Sequence, residues 1–163
     1  MALQMIAHHK PDIVVVGAAW TYDEPGFDLD KIADTIAVLR NIGIRRIVLV
    51  GPPVSWGFGG LPQVLTRYAL RHFGALLPER THYGLSENVR AIDDALRQKA
   101  RVWNVEYVSL WETMCNEEGC LARLGPAARD ITAFDPQHLT LLASNFVAEA
   151  TMPRILGVAP TNH

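Results

Sequence analysis

The residues best suited to chemistry lie near the C-terminus, in the run Asp135-Pro136-Gln137-His138-Leu139-Thr140. A carboxylate three residues ahead of an imidazole can curl back and accept the proton on the ring's Nδ1. That contact fixes the tautomer and leaves Nε2 to act as a general base, so Asp135 and His138 form a candidate catalytic pair. Thr140 is placed to cap the helix expected after it, which would hold the backbone beside the histidine. An isolated D-x-x-H is more often an Asx turn carrying a surface histidine, so the surroundings must decide.

A general base needs a nucleophile, and the chain contains neither a Gly-Asp-Ser block nor a G-x-S-x-G elbow. Ser55 has the best position among the serines, inside the glycine- and proline-rich loop Gly51 to Gly60 (GPPVSWGFGG). The loop follows an apolar strand, and open α/β sheets place their ligands at such strand ends. We read it as structural or substrate-facing, with Ser55 and Trp56 as candidate substrate contacts and Phe58 as a further ring able to stack on a sugar. Trp20, at another strand end, is a candidate of the same kind. Packing within the protein accounts for these aromatic residues equally well. Ser86, Ser109 and Ser144 read as a helix cap, a strand residue and a helix-face residue.

Cys115 and Cys120 flank Asn116-Glu117-Glu118-Gly119, a turn-forming run that could bring the two side chains within bonding range. Reduced thiols in a loop fit the same spacing. A zinc site would need two further ligands near by, and His8, His9, His72, His82 and His163 share no ligand spacing. No metal and no cofactor is expected.

The elements that must position these residues are those of an α/β protein. Pro11 to Ala19, Arg45 to Val50 and Val105 to Leu110 are β-branched, apolar runs of the kind found in buried parallel strands. Leu29, Ile32, Ile36 and Leu39 recur at helical spacing, with Asp28 as N-cap and Gly43 as terminator. Leu61 to Leu77, Leu85 to Ala100 (capped by Ser86) and Thr140 to Ala150 are the other amphipathic helices, and the tail from Pro153 is expected to be weakly ordered. The result is a doubly wound arrangement with three parallel strands.

Composition narrows the function. The 163 residues carry a net charge of −2 with scattered basic groups, which gives no support for nucleic-acid binding. The longest uninterrupted apolar run, Ile13 to Trp20, falls well short of the roughly 20 residues a membrane span needs. Met1 to His9 lacks the features of a signal peptide.

In order along the chain, Pro11-Asp12 through Trp20, Gly51-Pro52-Pro53, the Cys115/Cys120 pair and Asp135 through Thr140 resemble the SGNH domain of cell-surface polysaccharide and peptidoglycan O-acetyltransferases, the acyltransferase-3-fused family. The resemblance implies a flavodoxin-like, three-layer α/β/α fold and Ser-His-Asp acyl transfer without a cofactor. By this likeness His138 is the base, Asp135 its orienting carboxylate, and Cys115 and Cys120 a disulfide suited to an oxidising compartment. It also implies an acyl donor, a glycan acceptor, a membrane acyltransferase domain in the same chain, and a location at the periplasmic face of the inner membrane.

Two features depart from the family pattern. The Gly-Asp-Ser nucleophile block is missing, and Gly17-Ala18-Ala19 stands where many members carry an oxyanion-hole asparagine in G-x-N. Residues 1–163 therefore read as a single, N-terminally truncated domain lacking strand one, helix one and strand two, with Ala2 to His9 as the second helix. Such a domain would be inactive alone and would expose the strand at 13–19 as an edge open to self-association. The alternatives are a non-catalytic module that binds glycan or partner, and an independent esterase using Ser55 or another hydroxyl.

Overall fold

The computed structural model describes residues 2–18, 20 and 29–158. Its elements are α1 (Ala2–His9), β1 (Ile13–Val16), α2 (Lys31–Ile42), β2 (Arg46–Val50), α3 (Leu61–Arg71), β3 (Arg80–Thr81), α4 (Asn88–Val102), β4 (Glu106–Val108), α5 (Leu110–Met114), β5 (Cys115–Asn116), β6 (Gly119–Leu121) and α6 (Leu141–Leu156). They form two compact units, Met1–Pro52 with Ile92–Ser109, and Pro53–Ala91 with Leu110–His163.

The first unit holds the expected parallel sheet, in the order β1-β2-β4. The register sets Val14 beside Ile47 and Val16 beside Leu49, and Leu49 beside Tyr107 on the third strand. Because side chains alternate along a strand, these residues share one face. Ile32, Ile36 and Leu39 of α2 and Ile92, Leu96 and Ala100 of α4 cover that face. Val48 and Val108, on the opposite face, are buried as well. This two-sided burial is why the central strand β2 reads as an unbroken apolar run. β1 lies at the edge of the sheet, and its Val15 is 50% exposed.

Gly43 ends α2 as expected, in the left-handed conformation at φ 100°. Asp28, the expected cap, lies outside the described residues. Asp30 occupies the N-cap position in a helical conformation without a side-chain cap bond.

A buried polar cluster joins α4 to β4. Asp93, 1% exposed, accepts hydrogen bonds from Tyr107 Oη (2.7 Å), Ser109 Oγ (2.8 Å) and Arg97 Nη2 (3.0 Å). Ser109 is thus a structural hydroxyl. Gly51 makes room for the cluster, since a Cβ there would clash with Tyr107 Oη and lie 2.6 Å from Asp93 Oδ1.

The second unit contains a small antiparallel sheet, β3-β6-β5, that hydrophobic periodicity did not signal. Its strands are two or three residues long, too short to show alternation. Cys115 pairs with Cys120 and Asn116 with Gly119, so the cysteine segment is a tight hairpin. Arg80 donates to the carbonyls of Met114 (2.9 Å) and Gly119 (3.2 Å), tying the hairpin to β3. Gly119 is required there: its φ is 114°, and a Cβ would stand 2.7 Å from Thr81 O.

α3 stops at Arg71, short of the expected Leu77, because His72 to Gly74 leave the helical conformation. α4 begins at Asn88, and Ser86 instead donates its backbone N–H to Ser55 O at 2.9 Å. The tail expected to loosen at Pro153 stays helical to Leu156. Buried Ile155 anchors the last turn, and Gly157 closes it at φ 68° with Val158 N–H donating to Pro153 O.

Replacing Asp93 with Ala removes three hydrogen bonds from a buried carboxylate. We expect a loss of about 2–4 kcal/mol in urea unfolding, with Gly51→Ala destabilising in the same direction. Unchanged midpoints would show that the cluster contributes nothing to stability.

Candidate active site

The site loop is built by the chain that returns from β6. Thr132 donates from Oγ1 to Leu121 O (2.7 Å) and from its N–H to Ala122 O (3.0 Å), which anchors the loop's start. Thr140 closes the other end, with its N–H donating to Thr132 O (3.0 Å) and its Oγ1 to Ile131 O (2.7 Å). The same Oγ1 accepts from Ala143 N–H at 3.3 Å, so Thr140 caps α6 as its sequence position suggests. Between these anchors Ala133 bridges Leu139, and Phe134 N–H donates to His138 O.

Asp135 uses its two oxygens differently. Oδ1 accepts the backbone N–H groups of Gln137 (2.9 Å) and His138 (2.8 Å), forming an Asx turn. Oδ2 lies 2.6 Å from His138 Nδ1. The surface Asx turn and the oriented imidazole, alternatives in the sequence, are here one geometry. The backbone donor of His138, then that of Gln137, holds the Asp135 carboxyl down at about 2. An ionised carboxylate can only accept, so Nδ1 carries the proton and Nε2 presents its lone pair. Nε2 makes no hydrogen bond to any described residue, and the His138 side chain is 75% exposed. The ring is therefore oriented and accessible, which suits a general base.

Two residues outside the D-x-x-H run support this arrangement. Phe134 lies face to face with His138, at 5.8 Å between centroids and 12° between planes. Gly60, at φ 119°, lets the backbone of Asp135 pack against the start of α3, where a Cβ would come within 2.7 Å of Asp135 C. Trp56 N–H also donates to Pro136 O at 2.8 Å, so the glycine-rich loop and the dyad loop are hydrogen-bonded together. Phe134 carried no distinctive sequence signal. Gly60 could be suspected only as one glycine among several in its loop.

The substrate contacts expected from the aromatic residues need correction. Trp56 is 2% exposed within the apolar core of the second unit, so its ring has no open face for a sugar. Trp20, 4% exposed, packs with Leu49 and Leu96 and donates its indole N–H to Val50 O at 2.9 Å. Both are core residues, as aromatic rings at strand ends commonly are. Phe58 is exposed, but Arg67 covers one face of it at 4.6 Å. Ser55 is half-buried, its carbonyl takes the Ser86 N–H, and no hydrogen bond joins it to His138. Cys115 and Cys120 form a disulfide with their Cα atoms 4.0 Å apart.

Comparison with known proteins shows the family. The family profile described as "SGNH domain (fused to AT3 domains)" matches residues 1–153. The chain belongs to this family. Its fold is mixed α/β, and the chain is similar to a solved structure, the periplasmic domain of a lipopolysaccharide acetyltransferase from Salmonella ser. Paratyphi A. The likeness has a TM-score of 0.85 at 25% identity and covers 94% of this chain. The chain spans 60% of the length of that solved domain. No curated protein matches it in sequence.

The pH dependence of the dyad loop follows from Asp135. Its carboxyl falls from an ordinary 3.8 to about 2 on folding, so the charged form is stabilised. That contribution is complete above the unfolded value and disappears as pH falls through the folded one. The stability difference between the wild type and Asp135→Asn should thus be constant above about pH 5 and shrink toward pH 2. A difference that persisted unchanged at pH 2 would contradict the assignment.

Proposed function

We propose that this SGNH domain supplies the acid–base half of an O-acyl transfer site, with His138 as general base and Asp135 as its orienting carboxylate. The observation that carries this reading is the 2.6 Å contact from Asp135 Oδ2 to Nδ1 of an exposed imidazole. It is supported by membership of a family fused to AT3 domains and by likeness to an acetyltransferase domain. The nucleophile is the serine of a Gly-Asp-Ser block, which residues 1–163 do not contain.

In the reaction the serine hydroxyl attacks the carbonyl carbon of an acyl donor while Nε2 takes its proton. The donor's leaving group departs with a proton returned by the imidazolium. A glycan hydroxyl then attacks the acyl-serine, giving its proton to Nε2, and the serine is released with its own proton restored. Asp135 stays ionised throughout, and its charge stabilises the imidazolium. The acyl group is acetyl, the acceptor is a cell-surface glycan, and the setting is the periplasm, where the Cys115–Cys120 disulfide would persist.

The test is the O-acetyl content of cell-surface glycan in the host, with the protein produced as it naturally occurs. His138→Ala should lower the acylation rate by about 10³-fold or more, and Asp135→Asn should also impair it. Ser55→Ala should leave it unchanged. Full acetylation with His138→Ala would refute the general-base role, whereas loss with Ser55→Ala alone would favour an esterase-like use of that serine.

A further inference from the structure

Asp135 fixes one atom of the imidazole, and one atom does not fix a ring. The His138 side chain is placed by two torsions, which can change together while Nδ1 keeps its 2.6 Å contact with Asp135 Oδ2. Such a motion swings Nε2, the atom that must meet the serine hydroxyl. The side chain is 75% exposed, so close packing does not restrain it.

Phe134 stands where that motion is felt. Ala133 bridges Leu139 in the antiparallel sense, and Phe134 N–H donates to His138 O at 3.2 Å. Residues 134 and 138 therefore face each other across a narrow loop. Side chains alternate along such paired segments. Ala133 is fully buried and Leu139 packs against the core of the second unit, which sends Phe134 and His138 together to the outer side. There the two rings lie nearly parallel, at 12° between planes and 5.8 Å between centroids. Phe134 is itself 59% exposed, so its ring adds little to the core.

We propose that Phe134 is a positioning residue of the acyl-transfer site, whose ring sets the plane of the imidazole while Asp135 sets its tautomer. The two restraints act in different directions. The hydrogen bond pulls on one edge of the ring, within its plane, and the stack limits tilting out of that plane. An aliphatic side chain of similar size lacks the flat face, and an aromatic pair is worth more than the area it buries. A base held to a narrow range of angles keeps Nε2 aimed at its target between turnovers. The effect on rate rests on the general-base reading of His138, whereas the ring geometry does not.

Histidine-ring NMR on the purified chain reads the geometry, and the initial rate of O-acetyl incorporation into host cell-surface glycan reads its consequence. The wild type should show nuclear Overhauser contacts between the two rings. In Phe134→Ala the carbon-bound ring protons of His138 should shift as the ring current is lost, and the Nδ1–H tautomer should persist. The rate should fall about fivefold. Phe134→Tyr should keep the contacts and the rate, whereas Phe134→Leu should behave like alanine. Melting temperatures should change little, since the side chain is exposed. Missing contacts between the rings, unmoved His138 signals in Phe134→Ala, or equal rescue by leucine and tyrosine would overturn the proposal. A full rate in Phe134→Ala beside a lost rate in His138→Ala would defeat the positioning role alone. A full rate in both would place the failure in the general-base reading.

Discussion

The carboxylate of Asp135 serves two masters, and the site depends on that division. Oδ1 is committed to the backbone of its own turn, which fixes where the side chain can be. Oδ2 is then left at a single position, 2.6 Å from Nδ1 of His138. The imidazole is thus oriented by the fold of the loop rather than by rotamer preference. Preorganisation of this kind lets a base act without first ordering itself. A glutamate could not reproduce it, because its longer side chain does not form the same turn.

The second unit must hold a largely irregular segment still, and it does so with local ties. Arg80 joins β3 to the hairpin, and Arg123 donates to the carbonyls of Leu77, Pro78, Gly125 and Pro126. The disulfide closes a loop of only a few residues, for which chain entropy gives about 2 kcal/mol. Its larger consequence is geometric, since it fixes the hairpin register that places Gly119 against Thr81. The dyad loop begins from the strand on the other side of that hairpin. Order therefore passes from the disulfide to β6, from β6 to Thr132, and from Thr132 to the dyad.

The parts legible in the sequence were those with a physical periodicity or a fixed spacing. β2 showed as an apolar run because both of its faces are buried, β1 and β4 as its apolar neighbours in the sheet, and α2 as a helical repeat ended by Gly43. Asp135 and His138 were legible because an Asx turn spans three residues. Trp20 and Trp56 stayed open between substrate contact and packing because an aromatic residue at a strand end or in a glycine-rich loop looks the same whether it faces solvent or core. Their burial is set by residues distant in sequence, such as Val50 for the first and the cluster that includes Met114 and Ala133 for the second. The β3-β6-β5 sheet was missed because two-residue strands have no pattern to read. Pro153 signalled a helix end that tertiary packing of Ile155 overrides.

The central claim is a statement about one proton, and nitrogen NMR of the His138 ring above its titration measures it directly. The account predicts the Nδ1–H tautomer in the wild type, shifting toward the commoner Nε2–H form in Asp135→Ala. An Nε2–H ring in the wild type, unchanged by that substitution, would contradict it.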